Sequence, residues 1–259
     1  MKILVPYLLK KQHLYRGVFG LNTSRDAGDT TNDINITAGR CFSDDYLKEL
    51  ILSSEITKRI DAVWAVGDDA GGLDTGAVAD STWYFLYLIG GQGVATDVLF
   101  TATYGNPTMP TGYTKKRLIG FVHRTSGHAN EAFGHSGNEW WWDAPSEDWE
   151  DATITTTAKQ KIMHVPTGIR VKCNFRVYGT NSGGTQAVYN FYVGDGSEQS
   201  VPGGTADAPG MDFTTGGTGG AMWDVFSIIT DTSGQIKVDS NQAANNTVAA
   251  YTTGWRYDR

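Results

Sequence analysis

The sequence predicts an all-β protein, one or two jelly-roll-like β-sandwiches with little helix. Three observations carry that prediction. Charged residues are only 19% of the 259, while 32 Gly and an aromatic content of 12% favour strands joined by tight turns. Apolar and aromatic runs of four to ten residues recur at strand spacing, separated by Gly, Asp, Asn and Pro turn signals. No strand–helix–strand alternation is present, which argues against a doubly wound α/β fold.

Taken in order, Asp33–Ile36 alternates as a half-buried strand does. The one helix-like window is Asp44–Arg59, where Leu47, Leu50, Ile51 and Ile56 approach one face. Its end, Ile56–Val63, also alternates, so a short helix or turn near Tyr46–Glu49 followed by strand is expected. Ala62–Val66 is an apolar run closed by Gly67-Asp68. Thr82–Ile89 is the strongest strand signal, and with Asp97–Thr101 it reads as a hairpin across a Gly-containing turn. Further strands are expected at Arg117–Val122, Glu139–Trp142, Ile169–Tyr178, Ala187–Val193, Met222–Ile229, Gln235–Val238 and Thr247–Trp255. About a dozen short strands of this kind suit a sandwich or barrel.

The organisation expected is an N-terminal docking arm over 1–19, a first sandwich half or domain over 20–155, and a second over 156–259. The boundary signal is the acidic stretch Glu147–Asp151 running into Thr153–Lys161. In the arm, Pro6 interrupts the apolar residues Ile3, Leu4, Val5, Tyr7, Leu8 and Leu9, and Lys10-Lys11 ends them. That is far short of the ~20 residues of a membrane span, and the charges fall on the wrong side for a signal peptide. An extended arm that docks on something else is one reading; a first strand of the domain is the other. The long polar loop Gly194–Gly220 is of a length that loops reach when they are functional or floppy.

Net charge of −7 argues against phosphate-backbone binding, so no nucleic-acid partner is expected. Cys41 and Cys173 lie far apart in no metal-knuckle spacing. Two buried free thiols are the favoured reading, with one long-range disulfide as the alternative.

Motifs that could carry chemistry are few. Asp74-Thr75-Gly76 matches an aspartic-protease triplet, but no second copy exists to supply the paired carboxylate; a tight turn explains it better. His123, His128 and His135 match no zinc spacing and read as loop histidines. Asp26, Asp29 and Asp33 lack the calcium-loop pattern and read as Asx-turns. No acidic pair is singled out for glycoside hydrolysis, and no nucleophile elbow, P-loop or dinucleotide fingerprint is present. No catalytic residue, metal or cofactor is therefore expected. The unusual feature is Trp140-Trp141-Trp142. Strand alternation puts Trp140 and Trp142 on one face and Trp141 on the other. Burial against a sheet or a neighbouring subunit is the favoured reading, and stacking of outward indoles on sugar rings is the alternative.

Several segments together resemble a module of tail-fibre and tail structural proteins of tailed bacteriophages and prophages. They are Gly20-Leu21-Asn22 with Asp29–Gly39, Ile56–Gly67, the glycine-aspartate turn Gly71–Gly76, and Pro107–Gly120. Shorter echoes follow at Val165–Gly168, Thr232–Ile236 and Thr252–Trp255. The resemblance spans about Gly20–Arg259 and brings no catalytic residues. It departs at Cys41–Glu49, Asn138–Glu150 and Gly194–Gly220. It implies a non-enzymatic virion component, a homotrimer contacting other tail proteins and taking part in host attachment. The alternatives are a glycan-binding adhesin, a capsid-decoration or head-fibre protein, and a fibre-borne polysaccharide depolymerase.

Overall fold

The computed structural model describes residues 17–183, 187–193, 211–214 and 221–259, and every regular element among them is a strand. The expected arm residues Ile3–Leu9 lie outside the described residues, as does most of the Gly194–Gly220 loop. The chain forms two compact units. One holds the residues up to Asn138 together with Asp258–Arg259, and the other is Glu139–Tyr257.

The first unit contains β1 (Phe19–Gly20), β2 (Thr23–Arg25), β3 (Asp33–Ile36), β4 (Gly39–Phe42), β5 (Glu49–Leu52) and β6 (Ile56–Val63). It continues with β7 (Ala70–Leu73), β8 (Thr82–Gly91), β9 (Val94–Thr101), β10 (Lys115–Arg124) and β11 (Phe133–Ser136). The helix-like window resolves as a turn. Ser43 Oγ donates to Asp45 Oδ1 and the Leu47 amide donates to the same oxygen, so β4 reverses into β5 without a helical turn.

Seven strands form one sheet in the order β10-β8-β9-β7-β6-β3-β2, and β1-β4-β5 form a second. The large sheet curls until its two ends meet. A Cβ placed on Gly120 of β10 would lie 2.9 Å from Thr23 Cγ2 of β2. This nearly closed, barrel-like sheet buries Ile34, Ile36, Leu86, Leu88, Val98 and Phe100. Leu50, also fully buried, ties the small sheet to it, since a Cβ on Gly90 would meet the Leu50 side chain at 2.7 Å.

Gly71-Gly72-Leu73, expected to open a turn, are instead strand β7, parallel to β6 and β9. The reason is space. A Cβ at Gly71 would lie 2.1 Å from the Val63 carbonyl, and one at Gly72 would lie 2.4 Å from the Phe100 ring. The turn begins only at Asp74. Its Oδ1 accepts the Thr75 amide (2.8 Å) and its Oδ2 accepts the Thr108 amide (3.0 Å).

The second unit contains β12 (Glu139–Trp142), β13 (Trp149–Asp151), β14 (Lys159–Ile162), β15 (Lys172–Asn181) and β16 (Val188–Val193). It ends with β17 (Met211–Thr214), β18 (Ala221–Ile229), β19 (Gln235–Ser240) and β20 (Asn246–Arg256). β17 falls within the stretch read as one long loop. The residues 153–161 read as a boundary run from the connection after β13 into β14, inside this unit.

Its sheets run β12-β20-β15-β18 and β14-β19-β16-β17, with β13 as a short extra strand on β20. If β13 is set aside and the other eight are counted in chain order, the sheets read 1-8-3-6 and 2-7-4-5. That is the strand order of an eight-stranded jelly roll, two interlocked Greek keys. Alternation fixes which side faces in. Cys173, Phe175 and Val177 are buried, while Lys172 just before them and Arg176 between Phe175 and Val177 are exposed. Phe175 and Phe226 from one sheet meet Phe191 from the other, with ring centroids 5.7 and 5.3 Å apart.

Both cysteines are free and buried. Burial pushes the Cys41 thiol up to about 12, and Cys173 is shifted the same way. Neither is a reactive thiol.

Candidate functional site

The tryptophan triplet divides as strand geometry requires. Trp140 and Trp142 are buried, and Trp141 is 44% exposed. Trp140 stacks parallel to Trp255 with ring centroids 6.2 Å apart. Trp142 lies on His164 at 4.6 Å, and its indole N–H donates to the His164 carbonyl (3.1 Å). Two of the three candidate contact residues are therefore core. They are held there because β12 is edge-paired to β20 with Trp140 opposite Trp255. Only Trp141 remains available to a ligand.

The face that carries Trp141 holds a larger feature. On the outer side of the β12-β20-β15-β18 sheet, Tyr178 pairs with Trp223, and Arg176 lies between Tyr251 and Val225. The Trp223 ring lies 4.8 Å from Tyr178 and 5.7 Å from Tyr251, and the Arg176 guanidinium is 5.3 Å from the Trp223 centroid. Trp223 is 54% exposed, and Val225 and Ile229 beside it on β18 are also exposed. Tyr251 donates its hydroxyl to Glu147 Oε2 (2.6 Å), which pushes the phenol up to about 12. Glu150 stands opposite Ala249, in register with Tyr178 and Trp223.

None of Trp223, Tyr178, Tyr251 or Arg176 was a sequence candidate. The alternation of β15 and β18 marks these residues as outward-facing. Their convergence depends on the pairing of three strands that are distant in sequence, and one chain read alone does not show that.

The remaining motifs take structural parts. Asp26 Oδ1 accepts the amides of Gly28 and Asp29, and Asp29 Oδ1 accepts those of Thr31 and Asn32, so the acidic cluster is a pair of Asx-turns. The histidines are not one loop group. His128 is exposed in a turn, whereas His123 sits in β10 and His135 is buried in β11. His135 Nδ1 accepts the Thr23 amide (2.8 Å), its Nε2 faces the Gly137 carbonyl (2.9 Å), and burial lowers it to about 3. The imidazole is neutral, with its proton on Nε2. A small cleft of about 130 Å³ in the first unit is lined by Asp74, Thr75, Tyr84 and Thr108 among others; both Asp74 oxygens are occupied by the backbone amides described above. Among the described residues no helix is long and apolar enough to cross a membrane.

The class these observations define is an all-β protein with a jelly-roll unit. No family model matches the chain, and no curated protein matches it. Among solved structures, the VP2 subviral particle of infectious bursal disease virus is similar at 10% identity over 98% of this chain and 87% of that one. Its TM-score is 0.14, a weak likeness.

Proposed function

We propose that the protein is a non-enzymatic structural component of a tailed-phage virion, a tail fibre or tail-associated protein taking part in host attachment. The observation that carries this reading is the jelly-roll unit with an aromatic outer sheet face. A rigid β-scaffold holds such a face in place while its loops vary freely. The ordered resemblance of Gly20–Asn22 with Asp29–Gly39, Ile56–Gly67 and Pro107–Gly120 to tail proteins supports the same reading. Assembly as a homotrimer, beside other tail proteins, would cover strand edges that otherwise invite pairing. Trp141 and the Trp223 cluster favour a glycan-binding adhesin as the second reading. A capsid-decoration or head-fibre position differs from the first only in where on the particle the protein sits.

The test is peptide mass spectrometry and labelled-antibody electron microscopy on purified particles. Label on the tail supports the proposal. Label on the head moves the protein to the capsid. Release of sugar from host polysaccharide by the pure protein would overturn the non-enzymatic reading.

A further inference from the structure

The outer face of the β12-β20-β15-β18 sheet resembles neither an ordinary solvated sheet face nor a buried one. Three rings on three adjacent strands form a cluster, with Trp223 on β18 in contact with both Tyr178 on β15 and Tyr251 on β20. The rings from the two outer strands, Trp223 and Tyr251, have centroids 5.7 Å apart, so the three side chains make one continuous aromatic platform across the strands. Charged groups are set into this cluster. Arg176 lies against Trp223, and Glu147 is bonded to the Tyr251 hydroxyl. Glu150 flanks the Tyr178–Trp223 row.

We infer that this face binds an oligosaccharide of uncharged rings lying across the strands. Sugars present C–H faces that pack on aromatic rings and hydroxyls at their edges. The guanidinium of Arg176 donates to ring and hydroxyl oxygens, and the carboxylates of Glu147 and Glu150 accept from hydroxyls. The same two carboxylates disfavour an anionic sugar at the Tyr251 end. A second copy of the chain fits less well. Interface cores are depleted of charge, whereas here Arg176 and Glu147 sit within the ring cluster and would be desolvated under an apolar partner. The inference rests on the host-attachment reading only for the source of the saccharide.

The experiment applies the full-length protein to an array of defined neutral and acidic oligosaccharides and then titrates the best neutral binder by tryptophan fluorescence. The expected result is saturable binding weakened about tenfold or more by Trp223→Ala and by Tyr178→Ala, as for truncation of an anchoring aromatic. Trp223→Phe retains most of the affinity, and unchanged melting temperatures show that the variants fold. Four results overturn the inference: no neutral oligosaccharide bound, binding indifferent to Trp223→Ala, binding lost only in Trp141→Ala, or a fall in molar mass by light scattering in Trp223→Ala, which makes the face a subunit interface. The two readings fail separately. A protein that binds sugar but is missing from purified particles sinks the virion proposal alone, and one present in particles without sugar binding sinks this inference alone.

Discussion

Lys58 and Asp97 form a fully enclosed ion pair in the first unit, with 3.2 Å between Nζ and Oδ1 and side chains 0% and 2% exposed. The ammonium also donates to the carbonyls of Ala65 (2.7 Å) and Gly67 (3.1 Å) and lies 5.6 Å from the Trp64 ring. Asp97 in turn accepts the Gly67 and Val98 amides. Burial holds the Lys58 amine below its ordinary value, with Asp97 opposing that shift. The pair fastens the β6–β7 connection to β9. Lys58→Ala leaves Asp97 buried and uncompensated and should cost about 3–5 kcal/mol, whereas Lys58→Met with Asp97→Asn should cost less than the sum of the single changes. Denaturant titration followed by hydrogen exchange in β8 and β9 measures this; an additive cycle would mean that the pair is not coupled.

His135 makes the first unit acid-sensitive. Its imidazole is held at about 3 against an ordinary 6.5. Between those values the unfolded chain takes up a proton that the folded one refuses, so stability present above pH 6.5 is lost as pH falls toward 3. His135→Gln should flatten that dependence. Amide-exchange protection of β2 and β11 at pH 7 and pH 4.5 reads it, and an unchanged slope in the variant would assign the effect to another group.

Asp148 gives the second unit the opposite sign. Its residue is half-buried, but its carboxyl turns inward and accepts both the amide and the hydroxyl of Thr252 (2.9 and 2.5 Å). Burial raises it from 3.8 to about 6. The folded unit therefore binds the proton more tightly, and the stabilisation present below pH 3.8 disappears as pH rises through 6. Exchange protection of β20 should increase from pH 7 to pH 4.5 and should lose that trend in Asp148→Asn.

The tryptophan triplet separates core from surface. Trp140→Ala should cost about 3–5 kcal/mol, because it empties a buried site stacked on Trp255. Trp141→Ala should cost well under about 1 kcal/mol, as exposed changes usually do. Thermal melts of the two variants decide it, and equal losses would contradict the facing of β12.

Close packing at β7 predicts a further loss. Gly71→Ala places a methyl against the Val63 carbonyl, and backbone cannot yield as a side-chain tip can. A penalty of about 1–3 kcal/mol is expected. A melt within error of the parent would show that β7 does not pack as described.

Much of the fold was legible because alternation is a local signal. Asp33–Ile36 and Glu139–Trp142 are strands at the residues expected, and the Thr82–Ile89 and Asp97–Thr101 runs pair as a hairpin. The short strands β1, β2 and β13 carry too few residues to alternate visibly, and β14, Lys159–Ile162, has a single apolar residue and so no apolar–polar alternation to read. β7 was read as turn because glycine serves both tight turns and close strand approach, and only the neighbours Val63 and Phe100 distinguish the two uses. The site was legible in part. The outward direction of Trp141 follows from the period of two. The Trp223–Tyr178–Tyr251 cluster needs the register of β18, β15 and β20, which is a property of the assembled sheet.

The most direct measurement of the central proposal is a cryo-electron-microscopy reconstruction of the purified particle. The expected result is the two β units at tail positions in multiples of three copies, with the Trp223 face of the jelly roll open to solvent. Particles that lack the protein, while infected-cell lysate contains it in soluble form, would contradict it.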